Sequence, residues 1–78
     1  MSFHSIRKKL ALFLLEHSEK EGNPFQLKLS ITALAEYIGV ERPSLSTVYN
    51  KMKEEGFFQQ NGKTLLLTDR KRLLKELN

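Results

Sequence analysis

Two short stretches with apolar residues at helical spacing, Ile31 to Ile38 and Arg42 to Glu54, meet at Gly39-Val40-Glu41, and this junction constrains the fold more than any other part of the chain. Ser30 is placed to accept a hydrogen bond from the amide of the third helical residue, and Leu34, Ala35 and Ile38 then share one face. Gly39 closes that helix, since glycine takes the left-handed conformation after a last turn without a Cβ penalty. Pro43 falls in the first turn of the next helix, where the backbone amides need no intrahelical acceptor. Leu45, Val48, Tyr49 and Met52 form the buried stripe of that second helix.

The flanking segments predict one small unit around this pair. From Ser2 to Glu21 the residues Phe3, Ile6, Leu10, Phe13 and Leu14 follow amphipathic spacing, with Ser2 or Ser5 as the cap. Leu12 and Leu15 lie off that stripe and are either scattered exposed leucines or a second contact surface. Gly22-Asn23-Pro24 ends the helix, and Phe25 to Leu29 alternates apolar and polar as a short half-buried strand does. Gly56 terminates the second short helix. Residues 57–67 read as a β-hairpin, Phe57 to Gln60 against Lys63 to Leu67, turning at Asn61-Gly62. Thr68 or Asp69 caps a last helix, Asp69 to Leu77, with Leu73, Leu74 and Leu77 facing inward. The expected fold is α+β: helix, short strand, helix-turn-helix, β-hairpin wing and C-terminal helix, a small winged helix-turn-helix over residues 1–78 as a single domain.

Composition fits such a unit and narrows its chemistry. At 78 residues the chain is near the lower limit for a single core, because so short a chain buries only roughly 60–65% of its unfolded surface. Thirteen Lys and Arg against nine Asp and Glu give +4, compatible with a polyanionic partner but not diagnostic of one. With no cysteine, disulfides and thiolate metal sites are excluded, and the cytoplasm is the default compartment. The longest apolar run, Leu10 to Leu15, is too short for a membrane span of about 20 residues or a secretory signal core. An enzyme is disfavoured: His4 and His17 lie far apart on the first helix, and no Gly-rich phosphate loop or carboxylate pair with a plausible base appears. No cofactor or metal is expected within this domain.

A helix-turn-helix followed at once by a hairpin with a basic tip has the arrangement that meets duplex DNA, with the second helix, residues 42–54, in the major groove and the wing, 57–67, on the backbone. The outward residues of that helix are the candidate base contacts: Arg42, Ser44, Ser46, Thr47 and Asn50. A guanidinium at Arg42 can donate two hydrogen bonds to guanine, and the Asn50 amide can pair with adenine. The three hydroxyls discriminate weakly. Candidate phosphate contacts are Ser30 and Thr32 at the positive end of the first short helix, and Asn61, Gly62, Lys63 and Thr64 at the wing. Arg70-Lys71-Arg72 fits a solvated helix face better than a DNA contact. A winged helix can also serve protein or RNA contact alone, and the fold does not decide between these partners.

With these residues in view, I-T-x-L-A-x-x-I-G before the turn, R-x-x-L-S in the second helix and N-G-K-T at the wing tip make the chain resemble the C-terminal domain of the Crp/Fnr family of bacterial regulators from about Ser5 to Glu76. The resemblance implies a homodimeric regulator on a pseudo-palindromic double-stranded DNA site. It also implies an upstream β-roll sensor whose effector is unknown, and RNA polymerase as a further protein contact. On this basis the chain is an excised or stand-alone DNA-binding domain, a monomer or weak dimer by itself, and Leu12 and Leu15 mark a contact with the sensor. Members often carry Glu after the first recognition arginine and another Arg one turn later. Pro43 and Thr47 stand there instead, so only Arg42 carries over and the familiar operator half-site is not assumed.

Overall fold

The computed structural model describes residues 2–78, and its elements follow the expected order. They are α1 (Phe3–Glu21), β1 (Phe25–Gln26), α2 (Ile31–Ile38), α3 (Arg42–Glu54), β2 (Phe58–Asn61), β3 (Thr64–Leu67) and α4 (Arg70–Glu76). The strands form one antiparallel sheet in the order β1-β3-β2. The architecture is the winged helix-turn-helix, with α2 and α3 as the helix pair and β2-β3 as the wing.

Local chemistry sets most of the boundaries. Ser2 caps α1 and Ser30 caps α2, each accepting a hydrogen bond from the amide three residues on, Ser5 at 3.3 Å and Ala33 at 3.1 Å. Asp69, rather than Thr68, caps α4 through the Arg72 amide at 3.1 Å. Pro43 occupies the opening turn of α3. Gly39 sits at φ +77°, ψ +42°, and its amide bonds to the Ala35 carbonyl, as does that of Val40. The left-handed residue thus reverses the chain within one step and aims α3 across α2.

The core gathers around α1, which packs against α2, α3, α4 and β1. Ile6, Leu10, Ala11 and Leu14 meet Leu34, Leu45, Met52, Phe58, Leu65 and Leu73, all buried. Enclosure on several sides is why Leu15, set apart from the expected stripe, is buried at 5% exposure and is not surplus surface. Leu12 remains exposed. Phe3 departs in the other direction: it lies in the first turn of α1, past the edge of the core, and is 56% exposed. Leu74 is likewise exposed because α4 is short and covered on one side only; Leu73 faces in, and Leu77 packs half-buried at the core margin.

Two strand expectations shift for one reason, the place where the wing turns. β1 pairs with β3 only at Phe25 to Leu65 and Gln26 to Thr64, with one more bond from the Leu27 amide to the Lys63 carbonyl at 2.7 Å. Beyond that point β3 has turned away, so Lys28 and Leu29 find no partner and the strand is shorter than Phe25 to Leu29. In the wing Asn61 pairs with Thr64, so the two loop residues are Gly62-Lys63 rather than Asn61-Gly62. Only Gly62, at φ +62°, needs positive φ. A glycine at the first loop position suits a tight hairpin, and Asn61 stays in the ladder.

The turn at Gly39 gives a direct test. A Cβ there has room, its nearest neighbour being Lys9 Nζ at 4.0 Å, so replacement is resisted by backbone strain alone. Gly39→Ala should lower stability by about 1–2 kcal/mol, and Gly39→Asn by less, in urea denaturation with unchanged m-values.

Candidate nucleic-acid interface

Of the α3 side chains, Leu45, Val48, Tyr49 and Met52 are buried, which turns Pro43, Thr47, Asn50 and Glu54 outward. Arg42 is the first residue of the helix, exposed and outside every ion pair among the described residues. Its guanidinium is therefore uncommitted. Glu41, the residue before it, makes no side-chain cap bond.

The five candidate base contacts do not share one surface. Ser46 and Asn50 line an open groove of about 310 Å³ together with Ser30, Ile31 and, across from them, Gln60 of the wing. Thr47 faces the next groove around the helix, which it lines with Asn50, Lys51, Phe3 and Arg7. Its hydroxyl donates to the Pro43 carbonyl at 3.1 Å, so its donor is already spent. Ser44 is half-buried on the opposite flank, beside Gly39, Val40 and Glu36 and away from the wing. Asn50 is the one candidate that borders both outer grooves.

The candidate phosphate contacts fall at two places flanking the Ser46–Asn50 groove. At the start of α2, Ser30 and Thr32 are exposed, and no acidic residue occupies the first turn. The cap uses the Ser30 oxygen as acceptor for Ala33, which leaves its O–H free to donate, and the helix itself claims neither the Ile31 nor the Thr32 amide. At the wing Asn61, Gly62 and Lys63 are exposed. Lys63 is the cation of the tip and, like Arg42, enters no ion pair among the described residues. Thr64 is partly covered and accepts a bond from Gln26 Nε2 at 2.9 Å, which ties it to β1.

Other cations serve the fold instead. Arg7 bridges Glu55 at 3.0 Å and Glu76, joining α1 to the end of α3 and to α4. Partial burial pulls its basicity down, but the hydrogen bonds and charges of Glu76 and Glu55 outweigh that and hold it above its usual range. Arg72 lies over the Phe57 ring at 4.1 Å and donates to the Glu55 carbonyl, and Arg70 donates to the buried Ser18 hydroxyl. The basic cluster of α4 is thus largely tied into the domain, with Lys71 left exposed. His17, half-buried, stacks on Phe13 at 4.4 Å and so packs an aromatic cluster; His4 is exposed.

Tyr49 and Gln60 at this groove, and Lys51 at the next one, were not among the sequence candidates. Tyr49 falls in the buried stripe, but its hydroxyl reaches out to Gln60 Oε1 at 2.5 Å. A tyrosine in an apolar stripe is itself a signal, because a buried phenol requires a polar partner. Lys51 is exposed one turn after Thr47 and extends the outward face of α3.

The family described as a Crp-like helix-turn-helix domain matches residues 8–76. Among solved structures, the CO-dependent transcription factor CooA from Carboxydothermus hydrogenoformans superposes with a TM-score of 0.80 at 28% identity over 92% of this chain. A regulator from Eubacterium rectale, assigned to the Crp/Fnr family, gives 0.76 at 27% over 91%. FixK2 from Bradyrhizobium japonicum, at 22% identity, shares the fold, with a TM-score of 0.81 over 90%. The chain spans 36%, 32% and 37% of those structures, respectively. No curated protein matches it. Among the described residues no helix is long and apolar enough to cross a membrane.

Burial pushes the Tyr49 phenol up to about 12, against 10 in an open chain. Between those values the unfolded chain is ionised while the native phenol is still neutral, so stability is lost as pH rises from about 10 towards 12 and is fully present below 10. Guanidinium denaturation of wild type and Tyr49→Phe from pH 8 to 11 should show the two curves converging above pH 10; a constant difference would place Tyr49 in an ordinary solvated setting.

Proposed function

Since the chain belongs to the Crp-like helix-turn-helix domain family, we propose that it is the double-stranded-DNA-binding domain of a transcription regulator, with α3 in the major groove and the β2-β3 wing on the flanking backbone. The observation that carries this reading is the disposition of the uncommitted groups. Ser46 and Asn50 on α3 line one groove with Ser30 at the open end of α2 and Gln60 of the wing, and Arg42 opens the same helix, exposed and unpaired among the described residues. The remaining arginines are engaged within the fold.

In the proposed complex Arg42 is the principal base reader, through two hydrogen bonds to guanine that are worth about 1–3 kcal/mol of discrimination. Asn50 is the second, and Ser46 adds a weak polar contact from the groove wall. Thr47 contributes through van der Waals contact and its acceptor lone pairs, and Ser44 from the flank, so both discriminate less. Ser30, Thr32, Asn61, Gly62, Lys63 and Thr64 orient the domain on phosphates and carry no sequence information. One domain covers one half-site. The active species is a homodimer on a pseudo-palindromic site whose halves lie about 34 Å apart, and residues 1–78 are one DNA-binding domain of it.

Titration of duplex DNA at two salt concentrations separates these roles. Arg42→Ala should relax selectivity at one base pair, while Lys63→Ala should weaken binding to all sequences alike and make the salt dependence shallower by about one unit. Equal, uniform effects from both would refute the division, and absence of binding to any duplex at low salt would favour a protein- or RNA-binding role. Joining two copies through a dimerising segment should raise affinity by two orders of magnitude or more on a two-half-site duplex, by roughly the factor bivalency supplies.

A further inference from the structure

Tyr49 is a core residue by position and a polar one by chemistry. Its ring packs edge-on to Phe58, with centroids 4.9 Å apart, at 7% exposure, while its hydroxyl donates to Gln60 Oε1 across the groove between α3 and the wing. The same Gln60 amide donates from Nε2 to the Gly62 carbonyl at 3.0 Å. Two hydrogen bonds therefore run from the reading helix to the wing tip, ending beside Lys63. Gln60 is exposed, and an exposed glutamine ordinarily keeps its rotamer freedom. Here both halves of its amide are used inside the chain. Tyr49 is also flanked on α3 by the two side chains that line this groove, Ser46 one turn earlier and Asn50 next in sequence.

We propose that Tyr49 and Gln60 are positioning residues, whose hydrogen bond presets the distance between α3 and the tip of the wing so that both meet one duplex without reordering. This rests on the major-groove and wing assignment above. β1 holds the β3 side of the tip through the Leu27 amide and the Lys63 carbonyl, but without the Gln60 bonds the distance from the tip to α3 would have to be fixed when the wing met the backbone, and that ordering would be subtracted from the binding energy. Tethered through Gln60, the tip holds Lys63 at its working position before DNA arrives. Neither residue contacts a base, so the pair acts on affinity and leaves sequence preference alone.

Tyr49→Phe keeps the ring against Phe58 and removes only the donor, and Gln60→Leu removes the acceptor from an exposed position, so both chains should fold, as their circular dichroism checks. In each, the 15N order parameters of Gly62 and Lys63 should fall in the free protein, with those of α3 unchanged. Binding should weaken by about three- to tenfold for every duplex sequence, with the order of preferred sites preserved. The double variant should be no worse than either single one, and Tyr49→Phe should cost less than twofold once Lys63 is alanine. Unchanged order parameters at the tip overturn the proposal, as does an undiminished effect of Tyr49→Phe in the Lys63→Ala chain. If Lys63→Ala itself leaves binding as in wild type, the wing's phosphate contact fails instead, and a loss of tip order in Tyr49→Phe identifies that case.

Discussion

Burial of α1 on several sides is the constraint from which the other elements take their positions. A chain of this size has little apolar surface to spend, and each buried Leu, Ile or Phe contributes about 1.5–3 kcal/mol. A central helix makes the most of it: Ile6, Leu10, Ala11 and Leu14 contact material from α2, α3, α4 and the sheet in one cluster. Every functional element is therefore located relative to the same helix. α3 gives its Leu45, Val48, Tyr49 and Met52 stripe to that cluster and has its opposite face free by geometry, without any separate device to expose it.

The charged residues are sorted by the same packing. Arg7 and Arg72 both lie over the Phe57 ring, at 5.4 and 4.1 Å, and reach Glu55, so the base of the wing is clamped to α1, α4 and the C-terminal end of α3. Thr68 adds a bond to the Gly56 carbonyl, and Asn23 grips both backbone groups of Leu67. This rigid end uses up arginines and carboxylates together. At the far ends of the same elements Arg42 opens α3 and Lys63 tips the wing, both exposed and outside every ion pair among the described residues.

What was legible in the sequence was what local chemistry decides. Ser30, Gly39 and Pro43 fix the helix pair through caps and backbone preferences that act within a turn, and the α3 stripe follows from spacing alone. Legibility fell where a distant partner decides. Whether Lys28 and Leu29 extend a strand depends on where β3 turns, and the wing loop sits at Gly62-Lys63 because Asn61 finds Thr64. The fate of Leu15 depends on how many elements enclose α1. Of the candidate contacts, Ser30, Ser46 and Asn50 come together at one groove. Ser44 lies on the other flank, since helical spacing gives an angle around α3 but not which neighbour stands there. The Tyr49–Gln60 bond joins residues of different elements, and only the unsatisfied phenol hinted at it.

The composition of the outward face of α3 also bears on how the proposed complex divides its energy. Pro43 and Thr47 stand on that face with Asn50, and neither of the first two offers a free strong donor: one lacks a polar side chain and the other has spent its hydroxyl on the Pro43 carbonyl. In the proposed complex readout therefore falls to Arg42 at the helix start and to Asn50 two turns on, beside the groove that Gln60 also lines. Two readers set two turns apart tolerate little tilt, because a tilt of the helix in the groove moves one or the other off its base. A domain built this way depends on its flanking contacts, the α2 terminus on one side and the wing tip on the other, to hold the angle. The polar tie between Tyr49 and the tip therefore stands where an α3 with few direct readers most needs a fixed lever.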